Sequence, residues 1–308
     1  MSHTHQSNGH APTRIAAISL VTTAALLALK LTLGLISHSI AVLGDAVDSG
    51  TDLTAATAAL LAVRIAASPA DEEHPYGHGK VETMSAAVAA AIIGIGGAVV
   101  VYQAVRRLVE GVPSINVWVG LAAMVTAAVA NVLLAYFMRR EAARSHSLAL
   151  KAESTHLETN VVQAGTIIAG LVLVAATGED VFDPLVALGL AAYMGWTAVG
   201  LVRSVTSEMM DRALPEDEIA TIQAILRDHP QVRSFHRLRT RRSGATRHVD
   251  MHVGVDAHLT IAEVHDVSEK IEQEIGERLP GTVAVIHLEP DDGSQRDEFE
   301  IVVKERGK

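Results

Sequence analysis

Long apolar stretches dominate the first two-thirds of the chain and stop near Val202; beyond that point charged residues alternate with short apolar runs. A helix needs about 20 apolar residues to span a bilayer, and six segments of that kind can be drawn. They are Ile15–Ser37, Ile40–Val63, Met84–Val105, Ile115–Met138, Ser147–Thr177 and Pro184–Val202. The third and fourth contain no charged residue. The first embeds Lys30, the second holds Asp45, Asp48 and Asp52, and the fifth is polar in its N-terminal half. The polar start, MSHTHQSNGHAPTR, and the length of the apolar run after it predict a membrane helix rather than a cleaved signal peptide.

After Asp211 the period changes. PEDEIATIQAILRDHP has helical spacing, acids in its first turn and Pro230 as a stop. VRSFHRLRTRRSGATRHVDMHVGV reads as two strands turning at Ser243-Gly244. TIAEVHDVSEKIEQEIGERLPG is a second amphipathic helix closed by Pro280-Gly281, and TVAVIHLEP is a third strand. The expected architecture is therefore a six-helix transmembrane bundle followed by a small α+β domain of order α-β-β-α-β. Its divisions fall at 1–13 (a His-containing flexible N-terminus), 14–208 (the membrane domain), 209–292 (the α+β domain) and 293–308 (a charged tail).

If the six spans alternate, Arg14, Arg64, Lys80, Arg139, Arg140, Arg144 and Arg203 share one side, against Arg106 and Arg107 on the other. Lys and Arg concentrate on the cytoplasmic side, which places both termini and the α+β domain in the cytoplasm of a cell bounded by this membrane, the inner membrane in a bacterium.

Composition narrows the chemistry. A net charge of −10 leaves no basic surface for nucleic acid. The absence of cysteine excludes disulfides and thiolate metal sites, so any metal must be held by His, Asp, Glu or Asn. No nucleophile–base arrangement suggests an enzyme. Two Trp, four Tyr and four Phe are too few for the aromatic cavity that an organic-cation transporter would need.

The charges inside the spans carry the functional signal. At 100° per residue Asp45, Asp48 and Asp52 fall within roughly 60° of one another, on one helical face. Each costs about 2.5–3.5 kcal/mol at the centre of a membrane helix, so such groups mark ion pathways. One lysine, Lys30, does not neutralise three aspartates. On the fifth span His156 and Asn160 are again i and i+4, with Glu153 one turn earlier. Two helices that each offer an i, i+4 pair can assemble a four-ligand cation site. Between spans two and three, Asp71, His74 and His78 crowd a turn containing Pro75, Gly77 and Gly79. The α+β domain carries His236, His248, His252, His265 and His287, with Glu289 on the same strand face as His287. That clustering exceeds what a solvated sheet face requires and points to divalent metal. His3, His5 and His10 near the start could hold metal loosely.

GDAVDSGTD, DEEHPYGHGKVE, ESTHLETN, DRALPEDE, HRLRTRRSG and VIHLEP, in this order and spacing, resemble the cation diffusion facilitator family in its bacterial ferrous-iron/zinc efflux branch. The likeness runs from about Arg14 to Asp291. It implies a transport site of Asp48, Asp52, His156 and Asn160, with Asp45 outside the ligand set. It also implies a loop site of Asp71, His74 and His78, and a cytoplasmic site of His236, His252, His265, His287 and Glu289. A salt bridge between subunits through Lys80 and Asp211, a homodimer, a ferredoxin-like cytoplasmic domain and exchange of divalent metal, zinc foremost, for protons complete the implied picture. Two positions depart from the family's pattern. Asn160 stands where HxxxD relatives carry a carboxylate, and Glu289 where relatives often have Asp. Glu158 lies about 160° around the helix from Asn160 and replaces the missing acid only if the helix is turned. The expected function is a metal/proton antiporter exporting zinc, cadmium, iron, manganese or cobalt across the bilayer. The competing reading is a membrane-anchored metal sensor that needs the C-terminal histidines but not Asp48 and Asp52.

Overall fold

The structure, a computed structural model, describes residues 10–37, 40–110, 117–179, 181–291 and 301–302. The side chains of Lys30, Asp45, Asp48 and His10 lie outside the described set, as do His3, His5 and most of the charged tail. Two compact units emerge, Asn8–Thr206 and a second built on Ser207–Lys308.

Six long helices form at the six apolar segments: α1 (His10–Ser37), α2 (Ile40–Ala66), α3 (Lys80–Glu110), α4 (Val117–Ser145), α5 (Leu148–Thr177) and α6 (Phe182–Met209). Several overrun the apolar stretch. α3 starts at Lys80, α4 continues through Arg139 and Arg140, and α6 runs seven residues past Val202. No proline or glycine stops the ladder there, so backbone hydrogen bonding carries the helix into polar sequence. Ser147 opens α5 by accepting a hydrogen bond from the Leu150 amide at 3.3 Å. Among the described residues, three helices are long and apolar enough to cross a membrane on composition alone: part of α1 (Ala11–Leu29), α3, and α6 from Pro184.

Small residues let these helices approach closely. One core joins Ala16 of α1, Leu60 and Val63 of α2, Met138 of α4 and Leu150 and Leu157 of α5. A second joins α3 to α6 through Ala86, Ala90, Ile93, Leu190, Met194 and Ala198. At their crossing a side chain on Gly97 would lie 3.2 Å from the Met194 Cβ, so only glycine fits comfortably. α2 packs against both α1 and α5, which brings the aspartate helix beside the histidine helix.

The second unit contains α7 (Glu216–Asp228), β1 (Ser234–Ser243), β2 (Thr246–Val255), α8 (Ile261–Arg278), β3 (Thr282–Pro290) and a short β4 (Ile301–Val302). The sheet order is β3-β2-β1-β4, with β2–β3 parallel and the other pairs antiparallel. Gly244 takes φ +57° in the hairpin turn, a conformation side chains disfavour. Phe235, Val249, Met251 and Val253 face Ile222, Ile225, Val267, Ile271 and Ile275 of the two helices, forming the core. α8 is started by a capping box in which Thr260 and Glu263 satisfy each other's amides.

An ion cluster ties the edges together. Glu218 of α7 accepts from Arg242 at 2.9 Å and from Arg247 at 2.8 and 2.9 Å, and Arg247 also donates to the Pro280 carbonyl at 2.8 Å. The hydrogen bonds from Arg247, reinforced by the charge of Arg242, hold the Glu218 carboxyl well down, at about 2.

β1 contains a bulge. His236 pairs with His252 but Arg239 pairs with Asp250, so Arg237 and Leu238 together oppose Met251, with Arg237 at φ +51°. Even-numbered positions before the bulge and odd-numbered positions after it therefore share the face turned away from the helices.

Candidate metal sites in the membrane unit and on the sheet

In the first unit the i, i+4 spacing on α5 has its partner on α2. His156 Nε2 lies 3.0 Å from Asp52 Oδ1, and Asn160 Nδ2 donates to the same oxygen at 3.0 Å. His156 is buried, and its Nδ1 has no hydrogen-bond partner among the described residues. A carboxylate, an imidazole and an amide thus converge from two helices on one point. This donor set suits a borderline dication such as zinc or ferrous iron. Asp48 lies one turn before Asp52 on the α2 backbone, and Asp45 nearly one turn before Asp48; their side chains are outside the described set. Glu158 does not join this point: it accepts from Arg139 of α4 at 3.1 Å.

In the loop between α2 and α3, Asp71 bridges two imidazoles. The backbone amide of His74 donates to Asp71 Oδ1 at 2.6 Å, His74 Nδ1 lies 3.2 Å from the same oxygen, and His78 Nε2 lies 3.4 Å from Oδ2. The His74 amide holds the Asp71 carboxyl below the usual carboxylate range. One ligand atom from each of the three residues falls within a 4.8 Å cluster. Gly77, at φ +79°, makes the turn that brings His78 back.

On the helix-free face of the sheet, Glu289 sits between two histidines. Its Oε1 is 3.1 Å from His236 Nε2 and its Oε2 is 3.3 Å from His252 Nδ1. These three also form a 4.8 Å cluster. The parallel register sets His287 opposite His252, with ring centroids 4.7 Å apart. His265 is not drawn in. It projects from α8, on the other side of the sheet, and its Nε2 lies 3.4 Å from Glu269. Lys80 opens α3 in the first unit. Asp211 belongs to the second, where its Oδ1 is 3.5 Å from Arg241 Nη1.

One contact had no counterpart in the sequence reading. Ser19 of α1, buried like Glu153 of α5, donates to the Glu153 carboxylate at 3.5 Å. Glu153 is visible in the sequence as the acid one turn before His156, but a lone serine in an apolar span gives no sign of its partner.

A helical membrane unit with an acid–imidazole–amide point inside it, joined to an α+β domain bearing a histidine–carboxylate cluster, defines a metal-handling membrane protein. The comparisons give this class its family. Residues 16–210 match the model of the cation efflux transmembrane domain, and residues 214–291 match that of the cation efflux protein cytoplasmic domain. The chain belongs to the cation efflux family, the cation diffusion facilitators, and is a cation efflux transporter rather than an enzyme. Among its relatives, the cation-efflux pump FieF of Pectobacterium carotovorum is 33% identical, the alignment covering 82% of this chain and 84% of the relative. An uncharacterized transporter of Synechocystis is 36% identical, with 89% of each chain covered. Among solved structures, the metal-bound C-terminal domain of the CzcD transporter of Thermotoga maritima is 30% identical. It covers 26% of this chain and 93% of its own, with a TM-score of 0.25.

Proposed function

We propose that the protein is a proton-coupled antiporter that exports a divalent metal, zinc or one of cadmium, iron, manganese and cobalt, from the cytoplasm. The observation that carries this reading is the convergence of His156 and Asn160 on Asp52 inside the helical unit, each at 3.0 Å. In this reading all six helices cross the inner membrane, both termini are cytoplasmic, and two copies associate, with Lys80 and Asp211 forming a salt bridge between them. Asp48, Asp52, His156 and Asn160 hold the metal, with Asp45 behind them. Tilting of the helices then turns the site from one side of the bilayer to the other, the general mode of secondary transporters.

Coupling to protons follows from the ligands. Metal requires neutral imidazole and ionised carboxylate, so a proton arriving from the outside competes with the ion and favours its release. Histidine titrates near neutral pH, which suits His156 to the exchange. Asn160 carries no proton, so fewer than about three protons should exchange per metal. The clusters at Asp71, His74 and His78 and at His236, His252, His287 and Glu289 take metal from the cytoplasm. The second of these steadies the paired α+β domains when metal is plentiful. His265, which stands away from that cluster within one chain, is left without a role in it.

The test is metal uptake into proteoliposomes under an imposed proton gradient, comparing the native chain with Asp52→Ala. Flux that follows the gradient and vanishes in the variant is the expected result. If no metal moves although the C-terminal domain binds it, the protein is a membrane-anchored sensor.

A further inference from the structure

The carboxyl of Glu153 is among the most completely buried side chains in the molecule, at 2% exposure, and lies on α5 one turn before His156. A buried carboxyl in a membrane bundle is costly and persists where it is used. Among the described residues, the hydroxyl of Ser19 is the hydrogen-bond donor that meets it, at 3.5 Å. Among the described residues one long bond is what this buried carboxylate, with its roughly four acceptor sites, receives. On a helix, positions 153, 156 and 160 span about 60° of arc and form one face. Arg139 takes the other acid of this segment, Glu158, out of that face.

We propose that Glu153 is a positioning residue for the transported cation. It supplies, one turn from His156, the negative charge that the amide of Asn160 does not bring to the site. The inference rests on the transport reading above and deepens it. A dication beside Asp52 and His156 gains from a nearby carboxylate even when that group does not touch it, since the low-polarity interior screens little. Ser19 orients the carboxylate and thereby links α1 to the occupied state of α5.

The experiment measures zinc affinity by titration calorimetry and zinc flux in proteoliposomes, both on the full chain. It compares native protein with Asp52→Ala, Glu153→Gln, Glu153→Asp and the double variant Glu153→Gln/Asn160→Asp. So that the transport site alone is read, all are made on a background lacking the loop and sheet ligands (His74→Ala, His252→Ala). Glu153→Gln should weaken zinc binding about 10- to 100-fold, the usual cost of removing a group that supports a metal ligand. Glu153→Asp should keep native affinity, and the double variant should recover most of what Glu153→Gln loses, because the charge has been moved rather than removed. A Glu153→Gln variant with native affinity beside an inactive Asp52→Ala overturns the inference and leaves the transport reading standing. So does a loss that Asn160→Asp fails to rescue, which would make Glu153 a packing element. Native flux in Asp52→Ala overturns the transport reading itself, and this inference with it.

Discussion

The membrane point at Asp52 and the sheet cluster at Glu289 gather similar side chains but hold them in opposite ways. At Glu289, three residues come from three adjacent strands whose spacing is fixed by backbone hydrogen bonds; the histidines can change rotamer but not relative height. At Asp52, the converging side chains come from two separate helices, α2 and α5, held together by packing of small side chains and by the polar contacts themselves. A strand pair cannot slide without breaking its ladder, whereas packed helices can shift or tilt without breaking any of their own backbone bonds. A rigid platform suits a site that senses or clamps. A seam between helices suits a site that must change which side it faces.

The comparison can be broken outright. Asp52→Ala should reduce gradient-driven flux to background, while Glu289→Ala should leave flux of the same order as native and lose metal bound at the sheet. Equal loss in both would mean the two regions do not divide the work as their construction suggests. The next largest effect is on the platform. Glu218→Ala leaves Arg242 and Arg247 facing each other without their acid, and breaking a buried pair of this kind costs about 3–5 kcal/mol. Thermal unfolding of the C-terminal domain, followed in the full chain, should shift down accordingly. The same group gives a pH signature. Its carboxyl is lowered from 4.5 to about 2, so its contribution is complete above about pH 4.5 and is lost as pH falls toward 2. The loss should approach about 3 kcal/mol, and an acid-unfolding curve unchanged by Glu218→Gln would contradict it.

Finer changes sharpen the contrast. Asn160→Asp should alter the relative flux of zinc and manganese by about tenfold, since an added carboxylate favours the harder ion; competition uptake measures it. Thr260→Ala removes the start of α8 far from either set of ligands. It should cost about 1 kcal/mol of domain stability and leave metal affinity at the sheet unchanged.

Much of this was legible in the sequence because the relevant periods are local. Runs of about 20 apolar residues have few alternatives to a membrane helix, and i, i+4 spacing sets His156 and Asn160 on one side of α5 whatever the rest does. What could not be read was which long-range partner each polar group meets. Nothing near Ser19 announces Glu153, 134 residues away. Nothing near Glu158 announces Arg139. The standing-apart of His265 depends on α8 covering the opposite face of the sheet from the other histidines, a matter of topology that helical spacing does not encode.

The extra residue in β1 has a consequence for valence. Run on from the Gly244-Ala245 turn in regular pairing, with every residue kept and none doubled, the ladder would set Arg237 opposite His252 and His236 opposite Val253. The imidazole would then point into the apolar core, and a permanent positive charge with no lone pair to donate would stand where the third ligand now stands. Regular pairing through Arg237 and Leu238 would make that exchange at a stroke and set beside His252 and Glu289 a charge that repels a dication, whereas deleting Leu238 would straighten the strand and keep His236 opposite His252.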